Sequence, residues 1–426
     1  MRKYQQLLLL IISIICVITL LFYRNEYLKL RSVLNVLNFF GNVDINDASC
    51  LVFSSDLKSD ITFRYRFSEP RSTWTKLDDH YIYSSFWQDS ADGGSARTLT
   101  VGPKSSFYNY KCRIWFEVGN IIESENGIFE YILDPLFTTD KLGETRYKYF
   151  LKCTVRNKPE QSIPYGVLWI SPSNSSRILS PIFYKKKSTS EPVVCVFPDY
   201  SALPKTDIIE FITYYNFIGV SHFIIYDSGI QHSIFPFLES VVSRDELIRS
   251  ISVLQWNFPI SNSKLERQSL IDDCLSRTFG ISELIGIVSW NEYIFPMINN
   301  FIKLKPPNKI TDLIDMTVNT VLCCTDYADN KVSATSWPMF LRKTRCKVVD
   351  NEEKLYFNLK SYEKINKRRI YKIPKETAIL RRYDMCDKLS RDFTTDIPIS
   401  KFYNQIISHK LLRLWKSHLN TTSIYS

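Results

Sequence analysis

The 426-residue sequence has few of the residues that usually hold a metal ion or read nucleic acid. It contains only five histidines, none of them at the spacing of zinc ligands, and no two cysteines form a CxxC pair. Its 54 lysines and arginines are scattered along the chain and form no basic stripe with interleaved aromatic residues. These absences exclude zinc-finger and RNA-recognition patterns, so we expect no nucleic-acid partner despite a formal charge of +10.

Long disordered stretches are missing as well. Apolar residues make up 45% of the chain and charged residues only 23%, a composition typical of a protein that folds along its whole length. The length predicts two packed units, since a single hydrophobic core rarely grows this large. The remaining explanations for the basic charge are an anionic membrane surface and a phosphorylated small-molecule substrate.

One long apolar run lies near the N-terminus. Residues 7–23 (LLLLIISIICVITLLFY) carry no charge and follow Arg2 and Lys3. At a rise of about 1.5 Å per residue, a helix of this length just crosses a bilayer. The run ends in large residues instead of the small ones of a signal-peptide cleavage site, which favours a retained anchor. We therefore predict a cytosolic tail over residues 1–6, a transmembrane signal anchor over residues 7–23 and a stem over residues 24–49.

Sequons and cysteines favour a lumenal location for the rest of the chain. The sequons begin at Asn174 and Asn420 and can be glycosylated only in the lumen. Nine cysteines outside the anchor are widely spaced, which favours disulfides over a metal site. Because nine is odd, at least one thiol is free or pairs with another chain. We predict a single-pass type II glycoprotein of the Golgi or endoplasmic reticulum.

The composition changes near residue 190. Residues 50–184 contain short aromatic and β-branched runs broken by Pro, Gly and Ser clusters, which predicts a β-rich lumenal domain. A basic, Ser-rich segment over residues 185–191 is typical of an exposed linker. A C-terminal helix is predicted over residues 403–419, within a terminal segment of residues 401–426, and its apolar face favours packing over membrane binding.

Strands and helices alternate in the unit that follows, residues 192–400. Strands are predicted over residues 193–197, 221–226, 248–256 and 283–290, with helices over residues 205–217 and 263–278. This alternation predicts an α/β fold with a parallel sheet, whose ligands bind beyond the carboxyl ends of the strands.

Several motifs in this unit resemble glycosyltransferase family 92. The resemblance implies an A-type glycosyltransferase fold for residues 192–400, with a mixed, mostly parallel sheet flanked by helices. It also implies transfer of a hexose, typically galactose, from a uridine-diphosphate donor to a glycan acceptor in the Golgi lumen. The segments that carry it are Pro192-Val-Val-Cys195, residues 215–226 (YNFIGVSHFIIY), residues 253–256 (VLQW) with Pro259, residues 268–277 (QSLIDDCLSR) and residues 292–296 (EYIFP).

The metal segment of that family, Asp-x-Asp-Glu, is altered in this sequence. The family implies a divalent cation, usually manganese, that neutralises charge on the leaving diphosphate. Here the segment is Ser289-Trp290-Asn291-Glu292, so only Asn291 and Glu292 are left as candidate metal ligands. Glu292 is also the candidate catalytic residue. Because two carboxylates are missing, we expect weak or absent manganese-dependent activity.

A second departure concerns the late His-Tyr-Arg of similar proteins, which aligns here with Arg382-Tyr383-Asp384. The histidine is therefore missing, and Arg382, flanked by Arg381, is a candidate to supply positive charge to the donor directly. The alternative is a surface arginine that forms a salt bridge.

The remaining candidates for donor binding are two aspartates. Asp227 ends a predicted strand, where it can hydrogen-bond the nucleotide or act as a turn residue. Asp272, next to Asp273, is predicted on a helix that faces the ligand edge, with a solvated helix face as the alternative. Trp256 can stack on a sugar or lie in the core. Cys274 is predicted to be a core or disulfide cysteine, because no histidine accompanies it as a base.

Three functions follow from these patterns. The first is a hexosyltransferase, and the second is an inactive family member that binds a glycan or a partner in the lumen. The third is an anchored adhesion or receptor module that uses the β-rich half.

Overall fold

The computed structural model describes residues 73–422 with gaps, and residues 67–426 form one compact unit. The gaps are residues 91–92, 105–106, 119–120, 140–142, 157, 160–161, 173–175, 185–190, 199–202, 229–233, 235–236, 239–240, 243–247, 298–300, 305–313, 327–344, 358–368, 387–393 and 396–402.

Four predicted segments lie outside the described residues: the cytosolic tail, the anchor over residues 7–23, the stem, and all but the last residue of the linker. Within the part of the chain that is described, no helix is both long enough and apolar enough to cross a membrane.

The first half of the described chain forms a closed barrel. Its strands pair in the order β2-β3-β6-β5-β4-β7-β8, and β8 closes the ring by pairing with β2 in parallel. A short strand, β1, extends the sheet beside β2. The strands are β1 (Thr75–Leu77), β2 (His80–Ser90), β3 (Gly93–Gly102), β4 (Lys111–Val118), β5 (Ile121–Thr139), β6 (Thr145–Val155), β7 (Ile163–Ile170) and β8 (Arg177–Phe183).

A disulfide crosses the inside of the barrel. It joins Cys112 on β4 to Cys153 on β6, and both cysteines are buried. The strand between them, β5, carries Gly127 at this point, where a Cβ atom would overlap Sγ of Cys153 and lie 3.0 Å from Sγ of Cys112. Gly127 therefore makes the room that the disulfide needs inside the barrel.

The second half of the chain forms a ten-stranded sheet with helices. Its main path runs β11-β10-β9-β12-β15-β14-β17-β13, with β16 beside β14 and β18 beside β15. The strands are β9 (Val193–Val196), β10 (His222–Asp227), β11 (Ser250–Gln255), β12 (Leu284–Val288), β13 (Glu292–Pro296), β14 (Ile314–Cys324), β15 (Arg345–Phe357), β16 (Arg369–Lys372), β17 (Ala378–Asp384) and β18 (Thr394–Thr395). The helices are α1 (Lys205–Phe217), α2 (Ser263–Thr278), a 3-10 helix (Phe301–Leu304), α3 (Tyr403–Ile407) and α4 (Lys410–Thr422).

The prediction of an A-type α/β fold with a mostly parallel sheet is wrong. Seven strands of the described chain close a barrel, and antiparallel pairs join β12 to β15, β15 to β14 and β17 to β13. The alternation of strands and helices that suggested the fold covers only residues 193–290. Outside it, long strands without intervening helix patterns pair mainly in antiparallel fashion, which needs no helical crossover.

Within residues 193–290 the predicted elements are present. Strands β9 and β12 are buried at every residue, because both faces of this part of the sheet are covered. Neighbouring strands pair in parallel in the order β11-β10-β9-β12, so the carboxyl ends of these four strands meet at one edge of the sheet. Helix α2 begins after Asn262, whose side chain accepts a hydrogen bond from the amide of Leu265.

The predicted C-terminal helix is present as two shorter ones, α3 and α4. Ile406, Leu411, Leu412 and Trp415 are buried in the core beside α1, so the predicted packing role of the apolar face is confirmed.

Candidate functional site

The altered metal segment forms a tight turn between β12 and β13. The amide of Glu292 donates a hydrogen bond to the carbonyl of Ser289 at 3.0 Å. The amide of Ser289 in turn donates to Oε2 of Glu292 at 2.8 Å. The Glu292 carboxylate therefore closes the turn in which it lies.

The other oxygen of this carboxylate pairs with an arginine. Glu292 lies opposite Arg382 in the antiparallel pairing of β13 with β17. Nε and Nη2 of Arg382 lie 2.8 and 2.6 Å from Oε1 of Glu292. The Glu292 side chain is 2% exposed and that of Arg382 is 26% exposed. The structure thus joins two predicted site residues in one ion pair, with the arginine on the solvent side.

Asn291 is bonded to the neighbouring strand twice. Its Nδ2 donates to the carbonyl of Tyr383 at 3.0 Å, and the amide of Tyr383 donates to the carbonyl of Asn291 at 2.9 Å. An aspartate at this position has no hydrogen to donate to the Tyr383 carbonyl. The residue type at position 291 therefore suits a structural contact that a carboxylate cannot make.

Arg381 lies on the other face of β17, because successive side chains of a strand alternate. It is buried, with its guanidinium carbon 4.6 Å from the centroid of the Phe295 ring. Of the two adjacent arginines, only Arg382 faces Glu292.

Helix α1 holds β13 from its outer side. The hydroxyl of Tyr215 donates to the carbonyl of Glu292 at 2.9 Å, and that of Tyr214 donates to the carbonyl of Ile294 at 2.7 Å. Burial raises the pKa of both tyrosines well above its usual value, so both hydroxyls stay protonated donors. Trp290 packs beside Phe211 of α1, with ring centroids 4.9 Å apart. These contacts fix the turn from behind.

The residues of the turn do not fit a divalent cation. A hard cation prefers several carboxylate or carbonyl oxygens. Here Ser289 offers a hydroxyl, the Asn291 amide bonds the next strand, and the Glu292 carboxylate pairs with a guanidinium. A cation beside Arg382 would also meet a like charge within a few ångströms.

A second cluster brings together three side chains of types that can bind a metal ion. Cys324, Asp326 and Cys386 lie close together, but the two sulfurs form a disulfide and offer no thiolate.

Asp227 lies at the same edge of the sheet as the turn. It ends β10, which is separated from β12 only by β9, so its strand end lies about 10 Å from that of β12. Asp227 is buried, and its carbonyl accepts a hydrogen bond from the amide of Trp256 at 2.8 Å.

Trp256 is a core residue and not a stacking platform. Its side chain is fully buried, and its Nε1 donates to Glu266 at 3.1 Å. The indole packs edge-on against the ring of Tyr226.

Asp272 lies away from this edge, in the contact between α2 and the barrel. Its carboxylate pairs with the buried Lys148 of β6, which also lies 3.0 Å from Asp134 of β5. Asp272 is buried, so the solvated helix face given as the alternative does not describe its environment. Lys148 could not be identified from the sequence, because a single lysine in a strand is usually exposed.

Asp273 belongs to the same contact. It accepts hydrogen bonds from Ser84 of the barrel, from Tyr226 of β10 at 2.7 Å and from Arg277 at 2.7 Å. The network links the barrel to the strand that ends at Asp227.

Eight of the nine cysteines outside the anchor form disulfides, which confirms that prediction for them, including Cys274. The ninth, Cys50, lies outside the described residues. Of the two predicted glycosylation sites, Asn174 also lies outside the described residues, whereas Asn420 lies in helix α4. The pairs are Cys112–Cys153, Cys195–Cys274, Cys323–Cys346 and Cys324–Cys386.

The chain was compared with models of known protein families. The model of glycosyltransferase family 92 matches residues 190–420, which is more than half of the chain and includes the whole of the turn and its edge. No curated protein matches the chain significantly.

Proposed function

Because the chain belongs to glycosyltransferase family 92, we propose that it transfers a hexose, galactose, from a uridine-diphosphate sugar to a glycan acceptor in the secretory pathway. The family implies a nucleotide-sugar donor and a glycan acceptor in general. Galactose as the sugar and the secretory location belong to the proposal.

One observation supports the location of the site. The family match covers the sheet edge at which Asp227, the Ser289–Glu292 turn and Arg382 meet. In this arrangement the Asp227 carboxylate is suited to accept a hydrogen bond from a hydroxyl or amide of the nucleotide. The Arg382 guanidinium is suited to donate hydrogen bonds to its phosphates. Two tyrosines of α1 hold the turn rigid, as a binding site requires.

The proposed location depends on the predicted anchor and on the cysteines. Disulfides form and persist in oxidising compartments, and the structure contains four of them. They support a lumenal domain carried by a type II anchor over residues 7–23.

A second function is favoured by a specific observation. Both oxygens of Glu292 are engaged, one by Arg382 and one by the Ser289 amide, so this carboxylate is poorly placed to act as a base. An inactive family member that binds a glycan or a partner in the lumen would have the same geometry.

Donor specificity and activity are tested together on the purified full-length chain. We expect it to consume UDP-galactose faster than UDP-glucose or UDP-N-acetylglucosamine, and to label a glycan acceptor. An Asp227→Asn variant is expected to lose most of this activity, whereas Asp89→Asn, a change on the exposed end of β2, is not. If the purified chain bound glycans but consumed no nucleotide sugar, the result would instead support an inactive family member that binds glycans.

A further inference from the structure

We infer that Arg382 takes the place of the divalent cation: its guanidinium binds the diphosphate of the donor, and the chain works without a metal ion. This inference rests on the proposed function, since it concerns how the same site holds its donor.

The first step is that Glu292 is unavailable as a metal ligand. Its side chain is almost fully buried, and each carboxylate oxygen already accepts a hydrogen bond from within the protein. A cation would have to displace the arginine from Oε1 and open the turn at Oε2. If Arg382 left, the buried Glu292 carboxylate would lose the positive charge that balances it. The cation would then have to supply that charge itself.

The second step is that Arg382 is held in a defined position. Two of its nitrogens contact the same carboxylate oxygen, and the strand register places the two residues directly opposite each other. About a quarter of its side chain remains exposed, at the sheet edge where ligands of parallel strands bind. A planar guanidinium with several donors matches the oxygens of a diphosphate.

The third step is the charge of the surrounding turn. Ser289 and Asn291 are neutral, and the only carboxylate of the turn is paired with the arginine. An anionic diphosphate can therefore approach Arg382 without repulsion from the turn.

The role in the reaction follows from this position. The acceptor oxygen bonds to the anomeric carbon as the bond from that carbon to the β-phosphate oxygen breaks. The leaving UDP takes the electron pair, and the acceptor proton passes to solvent or to a base. The guanidinium of Arg382 stabilises the charge that develops on the phosphate.

Calorimetric titration of UDP into the purified full-length chain tests this inference. We expect wild-type binding in a metal chelator to stay within about twofold of that in manganese. Arg382→Gln is expected to weaken binding at least about tenfold, and Arg382→Lys less. Arg249→Gln is the matched control, because this arginine also pairs with a glutamate but is 62% exposed and lies before β11, at the opposite edge. Its binding is expected to be unchanged.

Two further variants separate binding from folding. Arg382→Gln with Glu292→Gln removes both charges of the pair and is expected to fold but to bind UDP weakly. Glu292→Gln alone is expected to bind UDP more weakly than the wild type, because Arg382 loses the carboxylate that positions it, but the remaining binding is expected to resist the chelator. Binding by the wild type that needs manganese, or binding lost in Glu292→Gln but kept in Arg382→Gln, would overturn the inference and leave the proposed function standing. If no nucleotide or nucleotide sugar binds in either buffer, both fail.

Discussion

The side-chain nitrogen of Asn291 makes a hydrogen bond that an aspartate at the same position could not make. Its amide donates to the carbonyl of Tyr383, while the neighbouring Glu292 accepts from Arg382. The sequence predicted both residues at this edge, because they directly follow the predicted strand over residues 283–290. They did not show that Glu292 and Arg382 pair, since the partners lie on strands β13 and β17, far apart along the chain.

Substitution of Asn291 by aspartate tests this contact. The carboxylate would lose the donated hydrogen bond and place a negative charge against the Tyr383 carbonyl. We expect a loss of about 1–3 kcal/mol in the free energy of unfolding, measured by denaturant titration. Added manganese is expected not to restore it, because Arg382 still pairs with Glu292. Full rescue by manganese would show that a cation site forms there.

His80 gives the barrel a dependence on pH. Burial lowers the pKa of His80 below its usual value of 6.5, and Arg146 lowers it further. The Pro103 carbonyl, Asp79 and Asp78 oppose this shift only in part. The unfolded chain therefore takes up the proton first as the pH falls, so stability is present above about pH 6.5 and is lost below it.

We expect the thermal midpoint to fall between about pH 7.5 and about pH 5.5, and to fall less in His80→Gln, whose side-chain amide can still donate to Pro103. An equal fall in both proteins would assign the pH dependence to other groups.

At the scale of elements, helix α2 connects the barrel to the ten-stranded sheet. Its Asp272 pairs with Lys148 of β6 and its Asp273 bonds Ser84 of β2, so two strands of the barrel meet one face of the helix. The disulfide from Cys274 then ties the same helix to β9.

Removal of the Lys148 charge is expected to be costly. Lys148→Met removes the cation that pairs with the buried Asp272 carboxylate, for which we expect a loss of about 3–5 kcal/mol in the free energy of unfolding. Lys152→Met is the control on the same strand, because that lysine pairs with the exposed Glu130. Its loss is expected to be below about 1 kcal/mol. If denaturant titration showed similar losses of free energy of unfolding in Lys148→Met and Lys152→Met, the structural role of Lys148 would be contradicted.

Local elements were predictable from the sequence, but their assembly was not. Helix α1 follows from apolar residues at helical spacing, and β12 from a continuous apolar run. Closure of the barrel depends on the pairing of β2 with β8, which are about ninety residues apart. That closure, together with the antiparallel pairing of β14 with β15, is not visible in local sequence patterns and is why the predicted fold class is wrong.

For the molecule as a whole, the four disulfides of the described residues lie in one compact unit, residues 67–426, and support the proposed lumenal location. The anchor and the sequon at Asn174 lie outside the described residues, and Asn420 lies in α4. The topology of the chain is therefore an independent prediction.

A glycan-removing enzyme is expected to increase the mobility of the cellular protein on a gel. The substitution Asn174→Gln is expected to remove at least part of this shift. In intact microsomes, protease is expected to leave the large domain uncut. An unmodified Asn174 and Asn420 together with digestion of that domain would mean that the orientation is reversed.

We propose that this protein transfers its sugar without a metal ion, because Arg382 binds the diphosphate of the donor. The most direct measurement is the rate of galactose transfer from UDP-galactose to a glycan acceptor by the full-length chain, in a chelator and in manganese. We expect equal rates in the two buffers, and a rate at least about tenfold lower in the double variant Arg382→Gln with Glu292→Gln. Transfer that appears only with manganese would contradict it.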